Sequence, residues 1–114
     1  MNITEYHFGS ITVGGETYTS DVIITPDGVS DNWWRENGHN LSIRDLDNIV
    51  AAHPEVVVIG TGYYGRMKVP ADTARYLEEQ GIDVHCADSK KAVEEFNRLQ
   101  KDHARIVAAL HLTC

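Results

Sequence analysis

The stretch Val56-Val57-Val58-Ile59-Gly60-Thr61-Gly62-Tyr63-Tyr64-Gly65 constrains this chain more than any other. Four consecutive apolar residues, three of them Val, predict a strand covered on both faces, because a half-exposed strand alternates instead. A glycine-rich turn follows directly. Pro70 fits the first turn of a helix over Ala71 to Gln80, with Gly81 at its carboxyl cap. Ile82, Val84 and Cys86 then alternate with Asp83 and His85 as a second strand. Such crossovers are right-handed and pair their strands in parallel. Ligands of open α/β sheets bind beyond the carboxyl ends of these strands, so residues 60–65 mark a candidate site.

The first third of the chain reads as β structure. Tyr6 to Val13 alternates polar and apolar residues, Gly14-Gly15 is a turn signal, and Glu16 to Ser20 resumes in a β-friendly composition. Asp21 to Thr25 is a further strand, ended by the turn Pro26-Asp27-Gly28. Together these segments predict a meander of short antiparallel strands. A loop carries Trp33 to His39. Ser42 is placed as the N-cap of a helix in which Ile43, Leu46, Ile49, Val50 and His53 share a face, and Pro54 stops it. Asp88 or Ser89 caps a third helix striped by Ala92, Val93, Phe96 and Leu99, and Arg105 to Leu112 closes the chain as an apolar strand. The expectation is one α/β domain over residues 1–114, with three layers: a mixed central sheet, flanking helices and an N-terminal β meander.

The formal net charge of −7 repels phosphate backbones and anionic membrane surfaces, which argues against nucleic acid and lipid as partners. No apolar run approaches the ~20 residues of a membrane span. The opening Met1 to Glu5 has neither a basic nor an apolar region of the signal-peptide kind, so a cytoplasmic protein is expected. Cys86 and Cys114 form no C-x-x-C pair and are expected as free, buried thiols beside apolar strands.

Gly60, Gly62 and Gly65 literally satisfy G-x-G-x-x-G, and Asp88 follows the next strand as a ribose carboxylate would. The dinucleotide reading still fails on context. Arg66 to Val69 separates the glycines from the helix start at Pro70, so pyrophosphate would not meet a helix N-terminus. What survives is a nest of backbone amides over Gly60, Thr61, Gly62, Tyr63 and Tyr64, with Arg66 or Lys68 supplying charge, suited to phosphate or a carboxylate. In a small-ligand site Arg35 and His39 are further candidates for the charge, and Asp88 for a hydroxyl or ring nitrogen. Trp33-Trp34-Arg35 has the composition of a protein-contact patch, with one indole expected in the core and His39 nearby. His111 and Cys114, three apart on a strand, face opposite sides, as do His85 and Cys86. No metal site is therefore expected, no cofactor is implied, and no nucleophile motif surrounds either cysteine.

Taken in order, these motifs resemble the Mth938-like domain family. The resemblance runs through Phe8-Gly9-Ser10-Ile11, Tyr18, Asp21 to Ile24, Trp34-Arg35, Gly38-His39-Asn40-Leu41 and Val58-Ile59-Gly60-Thr61-Gly62. It continues through Gly81-Ile82-Asp83-Val84, Ala92 to Asn97 and His111-Leu112-Thr113-Cys114. It implies the same three-layer fold. Eukaryotic members include a mitochondrial assembly factor for respiratory complex I and a cytoplasmic protein linked to adipocyte differentiation, and the family offers no agreed catalytic residues to carry over. The leading expectation is a non-enzymatic protein-binding or assembly-support module, working through Trp33, Trp34, Arg35 and His39 and forming a homo-oligomer. The alternative is a protein for a small anionic ligand or nucleotide, possibly an enzyme, using residues 60–65.

Overall fold

The computed structural model describes residues 1–114. Turn chemistry divides the opening of the chain into β1 (Ile3–His7), β2 (Ser10–Val13), β3 (Glu16–Tyr18), β4 (Val22–Thr25) and β5 (Gly28–Ser30). The alternation from Tyr6 to Val13 does not continue as one strand. Gly9, at φ +78°, reverses the chain between β1 and β2, a conformation open to glycine at no steric cost.

The meander expectation holds for β1, β2 and β3, which form a separate antiparallel sheet, and fails for β4 and β5. Val22, Ile23 and Ile24 are apolar without alternation, so β4 needs cover on both faces, and it joins the central sheet instead. After a 3₁₀ turn at Ile43–Leu46 come α1 (Asp47–Ala51), β6 (Val56–Thr61), α2 (Ala71–Glu79), β7 (Asp83–Ala87), α3 (Ser89–Leu99) and β8 (Ile106–His111). The helix expected from Ser42 is thus short, with a 3₁₀ first turn. Leu46 and Ile49 are buried, whereas Ile43 is exposed and His53 sits at φ +48° ahead of Pro54.

The central sheet has the order β5-β4-β8-β6-β7. β6 pairs in parallel with both β7 and β8, and β4 runs antiparallel to β8. Side-chain alternation sorts the core into two layers. Val56, Val58, Ala108 and Leu110 meet Phe96 and Ala92 of α3, with Ile3, Ile11 and Val13 of the small sheet beside them. Val57, Ile59, Val107 and Ala109 meet Ile49 and Leu77 of α1 and α2, together with Trp33, Leu41 and Met67. Helices α2 and α3 therefore cover opposite faces, and since they follow the neighbouring strands β6 and β7, the carboxyl ends of those two strands are the switch point of the sheet.

That crevice is filled by the chain itself. The Tyr63 amide donates to Thr113 O (2.6 Å) and the Arg66 amide to Cys114 O (3.0 Å). Gly62, at φ +109°, packs so tightly that a Cβ would lie 2.4 Å from the Cys114 carbonyl carbon. Gly62→Ala is expected to destabilise the fold by about 2–4 kcal/mol in urea unfolding, because strain and overlap with backbone combine. Gly15→Ala is the control: φ is +86° but nothing lies within 4 Å, so only the conformational cost of about 1–2 kcal/mol is expected.

Candidate functional site

Two polar residues interrupt the apolar strands at the switch-point edge. Asp21 precedes β4 and His111 ends β8, one step beyond the Val22–Leu110 pair. Both continue the face that carries Ile23 and Ala109. There the segment leading from Trp33 to Leu41 folds over them and brings in Arg35.

Asp21 is the junction. Its Oδ2 accepts from Arg35 Nη2 (2.7 Å) and from His111 Nδ1 (2.8 Å), and its Oδ1 accepts from the Leu112 amide (2.8 Å). A carboxylate at this distance fixes the proton on Nδ1. Arg35 Nη2, 3.1 Å from the same nitrogen, is then held there by the shared oxygen rather than by the ring. Burial works against the Asp21 charge. The hydrogen bonds from His111, the Leu112 amide and Arg35 outweigh it and hold the carboxyl below its ordinary value.

The pairing is incomplete. The Arg35 side chain is 5 % exposed and stacks 4.7 Å from the Trp33 ring, yet Nε and Nη1 have no partner. His111, its side chain 8 % exposed, has no partner at Nε2. Buried polar atoms are almost always satisfied, so three orphans in one cluster are unusual.

In front of this cluster lies an open hollow of ≈ 670 Å³ lined by Asn37, His39, Asn40, Gly65, Arg66 and Lys68. Two loops make it, and backbone bonds join them. The Lys68 amide donates to His39 O (2.8 Å), and the Leu41 amide to Lys68 O (2.8 Å). Arg35 Nη2 reaches Gly38 O (3.4 Å), and the His39 ring stands edge-on to His111 at 6.3 Å, so the cluster adjoins the 37–40 wall although neither Arg35 nor His111 lines the hollow. No carboxylate lines the hollow, although the chain carries a net charge of −7.

The expected residues are redistributed. Of the charge-bearing candidates, Arg66, Lys68 and His39 share this hollow, whereas Arg35 does not line it. The amide nest does not hold. Gly62 N donates to Ser89 Oγ (2.9 Å), Gly65 N to Gly62 O (3.1 Å), and those of Tyr63 and Arg66 to the tail as above, so these donors are already satisfied. Gly60 is paired within the sheet, and a Cβ there would meet Ser89 and Leu110 at 2.7 Å, so its role is close packing. Thr61 Oγ1 donates to Ala87 O (3.1 Å). Asp88 caps α3 by accepting from the Lys91 amide (3.1 Å).

Trp33 and Arg35 are buried, which removes them from any contact patch. Trp34, 76 % exposed, and His39 remain at the surface, but on different hollows: Trp34 borders one lined by Asp31, Glu36 and Asp47, and His39 lines the hollow described above. Cys86 is exposed rather than buried, because β7 is an edge strand. His85 uses its two ring nitrogens on Glu95 (2.7 Å) and Asp83 (3.1 Å), from opposite sides of the ring. Asp21 was not singled out from sequence, and His111 only as an unsuitable metal ligand. Their signal was a charged or polar residue at the end of an otherwise apolar strand.

A family model described as a protein of unknown function (DUF498/DUF598) matches residues 3–111. The chain belongs to that family. DUF498/DUF598 relatives of known structure share the whole architecture. A conserved hypothetical protein from Pyrococcus horikoshii OT3 is 25% identical with a TM-score of 0.89, and the match covers 100% of both chains. A protein from Bordetella parapertussis is 26% identical at TM-score 0.81, covering 97% of this chain and 94% of its own. A Bordetella pertussis protein described as a Mth938-like domain superposes at TM-score 0.79 with 21% identity, over 97% of this chain and 85% of that one, which supports the fold alone. The Mth938-like architecture expected from the motifs is thereby established.

Asp21 supports stability above its unfolded pKa of about 4, and that support is lost as pH falls through the lower folded value. Urea midpoints between about pH 2 and 6 are expected to fall steeply in acid for the native chain and to flatten for Asp21→Asn. At neutral pH the same variant is expected to cost about 3 kcal/mol, since it strands the buried Arg35 guanidinium.

Proposed function

We propose that this protein is a binding module that seats an anionic group, a carboxylate or a phosphate, in the hollow formed by His39, Arg66 and Lys68. The observation that carries the reading is that Arg66, Lys68 and His39 line the hollow with no carboxylate among them, on a chain of net charge −7. The buried Arg35 and Asp21 charges cancel, so the pull on an anion comes from Arg66 and Lys68, which line the hollow themselves. Asn37 and Asn40 add neutral donors at the rim.

Asp21 and His111 have the geometry of a carboxylate orienting an imidazole, the arrangement used in acid–base chemistry. Nε2 touches no hydroxyl or thiol, however, so the side chains present support binding better than attack on a substrate. The contact patch expected around Trp34 supports less. With Trp33 and Arg35 withdrawn beneath the surface, Trp34 and His39, which border different hollows, make a smaller group than the anchor cluster an interface uses.

Titration with inorganic phosphate and with acetate at low ionic strength is the test. Amide resonances of residues 37–40 and 65–68 are expected to shift together. At about 100 times the dissociation constant, the gain in unfolding free energy is expected to be about 2.7 kcal/mol. Arg66→Ala combined with Lys68→Ala is expected to lower affinity at least about tenfold, consistent with losing two charge-assisted contacts. Absence of shifts in both loops, or equal affinity in the double variant, would refute the site.

A further inference from the structure

Beside the hollow, and joined to it by Arg66, lies an exposed run of aromatic rings. Phe8 comes from the turn between β1 and β2, and Tyr63 and Tyr64 from the loop after β6. Tyr63 lies 5.1 Å from Tyr64 and 5.7 Å from Phe8, and Phe8 lies 6.0 Å from Tyr64, all with tilted or edge-on rings. Tyr6 extends the run inward at 6.1 Å from Tyr63. Phe8 is 52 % and Tyr64 65 % exposed.

Cations decorate the same surface. Lys90 Nζ stands 4.1 Å from the Tyr63 ring centre, and the Arg66 guanidinium 5.9 Å from that of Tyr64. Arg66 therefore belongs both to the anion hollow and to the aromatic run. The run is held in place by the tail: Tyr6 Oη donates to Leu112 O (2.9 Å), and the Tyr63 amide donates to Thr113 O.

Shape and charge together select the occupant. Small flat ligands are enclosed by concave pockets, whereas none of the hollows of this protein includes Phe8, Tyr63 or Tyr64. An open surface of Tyr, Phe and Arg is the composition of a protein-contact hot spot. Lys90 and Arg66 stand against the rings and Lys68 lines the adjoining hollow, on a chain of net charge −7, so the complementary partner is negative.

We infer that the occupant is an acidic peptide segment of a partner protein, placing a side-chain carboxylate in the hollow and a neighbouring aromatic or large apolar residue on Phe8 and Tyr64. This inference rests on the anion-binding reading and adds the class of ligand to it. Because rings and cations are already in position, little ordering is required on this side of the contact.

Three labelled hexapeptides test it by fluorescence anisotropy against the full chain: one of Asp and Glu with a single Phe, one with that Phe replaced by Ser, and one with Phe retained and the acids replaced by Asn and Gln. The acidic Phe peptide is expected to bind at least about tenfold more tightly than either control, the effect of one hot-spot side chain. Phe8→Ser and Tyr64→Ser, each exposed and tolerant of change, are expected to erase the advantage over the Ser peptide while leaving phosphate affinity as it was. Arg66→Ala is expected to weaken both peptide and phosphate. Equal binding of the Phe and Ser peptides, with phosphate binding intact, would overturn this inference and spare the anion site. Loss of phosphate binding in the native chain would remove the anion site itself. The peptide inference is also overturned if adenosine 5′-phosphate outbinds phosphate in a way that Tyr64→Ser abolishes. Sedimentation showing a dimer that Tyr64→Ser dissolves would overturn it as well.

Discussion

One carboxylate organises the functional end of this molecule. Asp21 holds Arg35, His111 and the Leu112 amide at once, tying the start of β4, the end of β8 and the segment over residues 33–41 to a single point. The Trp33 indole reinforces the tie. It stacks on the Arg35 guanidinium, and its Nε1 donates to Asp45 O (3.2 Å), reaching the turn that precedes α1. A buried charge held this way contributes little net stability relative to an apolar replacement, yet losing one partner is costly. Its value is positional: the loop bearing His39 stays where it is because Arg35 cannot leave.

The second constraint is the tail. In sheets of this topology the gap between the strands where helices change face is the usual ligand site. Here residues 112–114 occupy it and accept the amides that would otherwise face a phosphate. Ser89 locks the arrangement, donating to His111 O (2.6 Å) while accepting from the Gly62 amide (2.9 Å). The glycines serve this closure, since Gly60 admits Ser89 and Gly62 admits the tail. Accessible binding chemistry is displaced to the side, into the hollow between the two flanking loops.

Much of the fold was legible in the residues. The apolar run at 56–59, Pro70 and Gly81 around α2, and Asp88 capping α3 each state a local preference that the tertiary structure respects. The fate of β4 was less plain. Its apolar triplet signalled two-sided cover, but its pairing with β8 depends on residues more than 80 positions away, and no local pattern encodes that. The site was hidden for the same reason. Asp21 and His111 meet only because β4 runs antiparallel to β8, and Arg66 meets His39 only because Lys68 bonds the 37–41 segment. The glycine motif misled because a glycine required for close packing and one required for a ligand look identical in sequence. Trp33-Trp34-Arg35 misled because Arg beside Trp suggests a surface, while a nearby carboxylate on another strand can draw the pair inward.

The seam between residues 39–41 and Lys68 has a kinetic consequence. Two main-chain bonds suture the walls of the hollow, so neither can swing without unfastening the other. The main-chain anchors of His39 and Lys68 are thus kept at fixed spacing whether or not anything is bound. A recess built like this behaves as an open berth without a gate. On the anion-binding proposal, an occupant would arrive and depart on encounter timescales, selected by its match to the groups at the rim rather than by closure around it.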